Sequence, residues 1–388
     1  MKVVFIADNR NRRNLGCRAT SIALSALISQ RHDIVGCISG SLTLMSRPDV
    51  EEFLTWDFEK SIRNIKQHSS VDKRYRELDL DRYDFDAIVI NGEGTMIMTT
   101  PPRIDTMYYL LFCYWARKKG KHVFFVNAMY SDCPVTGRNL TTLQLTNEIL
   151  SQCDFVSARD PFSYRYVTEN MKSIKLEYIP DALFTWYSKR APEEMLWRVR
   201  ELMPFGMESD GNLREGCLRS RRYLLISGGS LAARTKAEAT ESYTMLVNQL
   251  KKVTDLEIVL LEACGGDSFL YDVAKKTHTI LISAHLPIFM LLNLLSHAAI
   301  FLSGRFHPSI MASLGNVPCV FFEPNSHKNL GLQEMLGYRP IMQFHACPTQ
   351  EDIAKICNIV SRICSGQVLV RMDIQSLAQK ASELLRFL

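Results

Sequence analysis

Short β-branched and aromatic runs alternate with stretches of helical character along nearly the whole chain, and no other feature constrains the fold as tightly. In the first half the runs fall at residues 3–7, 34–38, 87–91, 123–127 and 155–157. In the second they read YLLISGG, EIVLLEA, TILISA, AIFLSG and CVFFEP, with helical stretches at 238–253 and 288–297 between them. Such a pattern is the signature of parallel strands joined by crossover helices. The series is interrupted once, between residues 186 and 220, where charge, Pro and Gly accumulate and no strand signal persists. The sequence therefore predicts an α/β protein of two Rossmann-like domains facing a cleft. Residues 1–185 form the first, 186–220 a linker or insertion, 221–370 the second, and 371–388 a closing helix.

A chain of 388 residues is long enough for two domains, each with its own core. Hydrophobic residues at 47% and charged residues at 22% exclude a disordered or fibrous class. The net charge of +5 is a small excess that suits anionic substrates or an acidic membrane surface, and no polybasic block with interleaved aromatics argues for nucleic acid. Eleven cysteines are scattered without a CxxC pair or zinc-like spacing, which reads as reduced thiols in a cytoplasmic protein with no metal site. The opening MKVVFIADNRNRRN reads as a first strand and not as a signal peptide, and no segment reads as a membrane span.

In open α/β sheets ligands bind beyond the carboxyl ends of the strands, and the chemistry-bearing motifs all fall there. NLGCRAT opens the first helix, so that backbone N–H groups near Asn14 and Gly16 suit an anion; a tight turn is the other reading of Gly16. NGEGT follows the third strand and brings Asn91 and Glu93 to the cleft, where the carboxylate suits a general base or a sugar-hydroxyl ligand; a helix cap or an arginine partner is the alternative. In SARDPFS, Asp160 is placed as an N-cap ahead of Pro161, while Arg159 is aimed inward at a ligand or at a carboxylate such as Asp181. Gly228, Gly229 and Ser230, followed by Arg234 and Lys236, fit an anion site without Walker spacing. The glycine pair of EACGGDS reads mainly as a turn.

LSGRFHPS carries the most chemistry. Arg305 offers a planar fork for phosphate or carboxylate, and His307 a proton near neutral pH. Pro308 pre-sets a first helical turn, so that the N–H groups of Ser309 and Ile310 are expected to converge on the same anion. Glu323, His327 and Lys328 follow the next strand.

The run SGRFHPSIMASLGNVPCVFFEPNSHKNLGL resembles the C-terminal signature of the polysaccharide pyruvyl transferase family, and HLPIFMLLNLLSHA, NLGCRATSIAL, NGEGT, SARDPFSYRYV and IPDALF occur in the family's order and spacing. The resemblance implies a GT-B-like fold and transfer of the pyruvyl group of phosphoenolpyruvate onto two hydroxyls of a sugar, forming a ketal in cell-surface glycan synthesis. It assigns Arg305 and His307 to the donor's phosphate and carboxylate, with His307 as proton donor. Two departures, NGEG for a Gly-rich GGG and Cys17-Arg18 for an acidic pair, lie on the expected acceptor side.

The expected roles follow. His307 is the acid, Glu93 the base, and Arg305 with Arg234 or Lys328 the anion clamp, supported by Ser309, Gly228, Gly229 and Ser230. Asn14, Gly16, Asn91, Glu93 and Arg159 face the acceptor. Phosphoenolpyruvate is a co-substrate and no cofactor is expected; the partner is a sugar or a lipid-linked oligosaccharide, met in the cytoplasm at the inner face of the membrane. A glycosyltransferase using a CMP-activated acidic sugar is the alternative, with Glu93-Gly94 and His307-Pro308 as its motifs, and a catalytically silent binding protein of the same fold is a third.

Overall fold

In the computed structural model of the protein, residues 1–39, 53–189 and 223–388 are described. The first strands and helices run β1 (Lys2–Ile6), α1 (Leu15–Ile28), β2 (Asp33–Ile38), α2 (Phe58–Ser69), β3 (Ala87–Met98), α3 (Ile104–Lys118), β4 (His122–Asp132), α4 (Leu140–Leu150), β5 (Phe155–Ala158), α5 (Pro161–Asn170) and β6 (Leu176–Tyr178). The later ones are β7 (Tyr223–Gly229), α6 (Lys236–Val253), β8 (Glu257–Glu262), α7 (Phe269–Thr277), β9 (Ile280–Ser283), α8 (Ile288–Ser296), β10 (Ile300–Gly304), α9 (Phe306–Ser313), β11 (Cys319–Phe321), α10 (Lys328–Leu336), α11 (Gln350–Cys364) and α12 (Ile374–Ser382). Most of the linker expected at 186–220 lies outside the described residues.

The chain builds two parallel sheets, one in each of two units. The first is ordered β2-β1-β3-β4-β5-β6 and the second β11-β10-β7-β8-β9. The strands read near-continuously apolar, as parallel strands covered on both faces do: VVFI in β1, AIVI in β3 and YLLI in β7 are fully buried. Each order reverses direction once, between β1 and β3 in the first sheet and between β7 and β10 in the second. Such switch points part the flanking loops and leave a crevice at the carboxyl ends of the strands.

The first unit comprises Met1–Asn11, Thr20–Ala182 and Lys380–Leu388, and the second Arg12–Ala19 and Leu183–Gln379. The division passes through α1, whose first turn is held by the second unit: Leu15 N–H donates to the Ala263 carbonyl (2.8 Å), and Arg18 Nη2 to the carbonyls of Ala284 (3.0 Å) and Leu286 (3.1 Å). Asn14 and Gly16, expected on the acceptor side with the first domain, therefore belong to the second unit. The C-terminal residues belong to the first: Phe387 stacks on Phe155 at 4.4 Å, and Arg31 donates to the Leu385 carbonyl. The closing segment is a helix only to Ser382 and a 3-10 turn beyond it.

Candidate functional site

Along three neighbouring strands of the first sheet a non-glycine residue stands in the left-handed region: Ala7 just after β1 (φ 63°), Glu93 in β3 (φ 43°) and Asn127 in β4 (φ 58°), the first two flanking the switch point. L-residues pay for that conformation, so the surrounding structure must hold it in place, and such positions cluster at ligand sites. NGEGT is not the loop expected from its glycines. β3 continues through it to Met98, still paired with β4, with a break in register between Glu93 and Met96. Gly92 is small because a Cβ there would stand 2.5 Å from that of Ala128 on β4, which is close strand packing and not ligand approach.

A continuous hydrogen-bonded network lies on this crest. Glu93 Oε1 accepts from Asn9 Nδ2 (2.7 Å) and Asn91 Nδ2 (3.2 Å). Asn91 Oδ1 accepts from Asn127 Nδ2 (3.0 Å), which also reaches Thr20 Oγ1 (2.9 Å). Thr20 donates to Asp181 Oδ1 (3.1 Å), and Asp181 Oδ2 takes Arg159 Nη1 at 3.0 Å with both side chains buried. The carboxylate alternative read for Arg159 is the one observed, and Asp160 caps α5 by accepting from Ser163 N–H (2.9 Å) ahead of Pro161. Asn9, Thr20 and Asn127 are missing from the sequence reading; only the position of Asn9 just past a strand end signalled it.

At the switch point of the second sheet Arg305 is the residue before α9, and its Nε (3.2 Å) and Nη2 (2.5 Å) both meet the carboxylate of fully buried Asp267. Asp267 also accepts from Ala263 N–H (3.1 Å). Burial pushes the Asp267 carboxyl up against the pull of the guanidinium, while the half-buried Arg305 guanidinium is held charged by Asp267. Gly228 makes the pair possible, since a Cβ there would lie 2.2 Å from Asp267 Oδ1. The Gly-Gly of EACGGDS does form a turn, Gly265–Asp267, but the residue that matters is the aspartate ending it.

His307 is buried in the first turn of α9 and packs directly on α1: a Cβ on Gly16 would stand 2.6 Å from His307 Nδ1. Gly16 is therefore a clearance for the imidazole. Asn14 caps α1, its Oδ1 accepting from Cys17 N–H at 3.1 Å. Ser309 differs from expectation. The helix starts at Phe306, two residues early, so Ser309 N–H bonds to the Arg305 carbonyl (3.3 Å) and its hydroxyl to the same oxygen (2.8 Å); neither is aimed at an anion. Gly229 meets Gly304 backbone to backbone, a Cβ on either falling within 3.3 Å of the other's Cα. Ser230 Oγ and Lys328 Nζ meet at Asn325 Oδ1 (3.2 and 2.9 Å), whereas Arg234 is exposed at the end of a short 3-10 turn. Among the described residues no three His, Cys, Asp or Glu side chains gather as metal ligands, and no helix is long and apolar enough to cross a membrane.

Two parallel sheets with polar residues at both switch points define an α/β protein of GT-B type, and solved structures agree on the fold. The UDP-GlcNAc 2-epimerase from Neisseria meningitidis bound to UDP-GlcNAc matches with a TM-score of 0.60 at 13% identity, covering 100% of each chain. That from Methanocaldococcus jannaschii matches with 0.57 at 12% identity, covering 100% of this chain and 99% of that one. Sequence comparison with curated proteins finds no match. The model of the polysaccharide pyruvyl transferase family matches residues 14–326, and the chain belongs to that family.

Proposed function

We propose that the protein transfers the pyruvyl group of phosphoenolpyruvate to two hydroxyls of a sugar. The observation that carries the reading is the corner after β10, where Arg305 is pinned through two nitrogens by Asp267 and His307 stands two residues on, against Gly16. A guanidinium fixed in this way is pre-organised for a carboxylate or phosphate, because its orientation is settled before the ligand arrives. Family membership supports the same donor.

The chemistry balances on these residues. One sugar hydroxyl adds to C2 of the enol while His307 delivers a proton to C3, making the methyl group. The bond from C2 to the phosphate oxygen then breaks, Arg305 offsetting charge on the departing phosphate, and the second hydroxyl closes the ketal. Of the two hydroxyl protons released, one is taken by Glu93 in the first unit and passes to solvent, and the other leaves on the phosphate, while solvent restores the proton that His307 gave to C3. The UDP-GlcNAc bound by the Neisseria epimerase is in keeping with a sugar-bearing acceptor here, and a phosphoenolpyruvate donor is in keeping with a reaction inside the cell.

The test is calorimetric titration with phosphoenolpyruvate, CMP-sialic acid and UDP-GlcNAc, followed by incubation with phosphoenolpyruvate and methyl hexosides. Phosphate release together with a pyruvylated sugar in the mass spectrum is expected. Saturable binding of a sugar nucleotide without binding of phosphoenolpyruvate sinks the proposal in favour of glycosyl transfer.

A further inference from the structure

We infer that Asn9 is a substrate-binding residue and that, with Glu93, it forms a pair of acceptors for two hydroxyl groups of one sugar. Asn9 follows β1 at the switch point of the first sheet and is 2% exposed. Its backbone N–H donates to Ser21 Oγ (3.0 Å) and its Nδ2 to Glu93 Oε1 (2.7 Å), so the side chain is fixed from both ends. The assignment of its amide is chemically forced, because the reverse orientation would set its oxygen against a carboxylate oxygen. Asn9 Oδ1 is thereby left buried, and among the described residues no donor reaches it.

A buried amide oxygen without a donor costs about 1–3 kcal/mol, which a fold tolerates where a ligand supplies the hydrogen bond. The carboxylate beside it already receives both of its amide donors on one oxygen, Oε1. What such a pair selects is a neutral ligand bearing two hydroxyl donors. An anion would meet the Glu93 charge, and an apolar group would leave Asn9 Oδ1 unsatisfied. Left-handed backbone at Ala7, two residues before Asn9, and at Glu93 itself marks the same crest.

The identity of that ligand as the sugar receiving pyruvate rests on the function proposed above; the hydroxyl pair itself does not. The test uses the full chain with methyl glucoside, galactoside and mannoside, and the monodeoxy forms of whichever binds best, titrated by ligand-observed NMR against wild type and Asn9→Ala. Melting temperatures are recorded for both proteins, and phosphoenolpyruvate affinity and transfer are measured in parallel. Asn9→Ala is expected to weaken sugar binding about tenfold or more with phosphoenolpyruvate affinity unchanged, the loss of one good hydrogen bond. Removing one particular sugar hydroxyl should weaken wild type but not the variant, a coupling that a merely structural residue would not give. The deoxy series on wild type alone decides the matter if the variant fails to fold: two separate hydroxyls must each cost affinity. Sugar binding that is absent from wild type, insensitive to deoxygenation or unaltered by Asn9→Ala overturns the inference. Transfer that persists with an unchanged sugar KM overturns it while leaving pyruvyl transfer standing; Asn9-dependent sugar binding without phosphoenolpyruvate binding does the reverse.

Discussion

Asp267, Arg305 and Gly228 act as one device, since the carboxylate can reach the guanidinium only across a position with no side chain. Asp267→Ala would leave a half-buried guanidinium unpaired, and a loss of about 2–4 kcal/mol in urea unfolding is expected. Arg305→Lys keeps the charge but cannot make both hydrogen bonds, so a smaller loss of about 1–2 kcal/mol is expected together with weaker phosphoenolpyruvate binding. Unchanged midpoints in both would refute the pairing. Gly16→Ala should displace His307 and lower turnover more than donor affinity, which steady-state kinetics beside calorimetry would resolve. A different residue reports on thiol chemistry: burial pushes the Cys133 thiol up, but hydrogen bonds from the Thr136 side chain and from the backbone of Thr136 and Val135 bring it down to about 7. Half of it is then thiolate near neutral pH, and peptide mapping after brief iodoacetamide treatment at pH 7 should find Cys133 alkylated ahead of the other described cysteines.

Among the elements, β1, β3 and β4 hold the strain. Ala7 gains nothing from its methyl group in the left-handed region, so Ala7→Gly is expected to raise stability by up to about 1 kcal/mol, readable as a higher melting temperature; a fall would show that the side chain is needed there. At the start of α5, Asp160→Ala should cost about 1–2 kcal/mol through loss of the cap. The strands were legible because an apolar run of parallel-sheet length announces itself locally: YLLISGG is β7 residue for residue. NGEGT was misread for an equally local reason, as glycines signal a loop unless a neighbouring strand demands their smallness, and that neighbour, Ala128, is remote in sequence. Arg305 and His307 could be picked out by their chemistry. Asp267, which orients Arg305, could not, and Asn9, which holds Glu93, offered only its place just past a strand end, because a pairing between residues remote in sequence leaves no mark on spacing.

On the scale of the whole molecule, the first unit is assembled from three separate lengths of chain. Residues 380–388 contribute buried Leu384, the ring of Phe387 on Phe155 and two carbonyls that bond Arg31 and His32. Deleting them should lower the melting temperature of the first unit, and residues 1–189 expressed alone should be recovered poorly and improve when 380–388 are supplied as a fused segment. Soluble, cooperatively melting 1–189 would remove the argument. The same arrangement bears on biosynthesis. A ribosome delivers 380–388 only after the whole of the second unit has been translated, so the nascent first unit leaves the exit tunnel without its last piece and must stay ready to accept it, whereas the second needs only Arg12–Ala19, which is made ahead of it. Pulse-labelled nascent chains should therefore gain protease resistance in the order opposite to their synthesis, the second unit before the first.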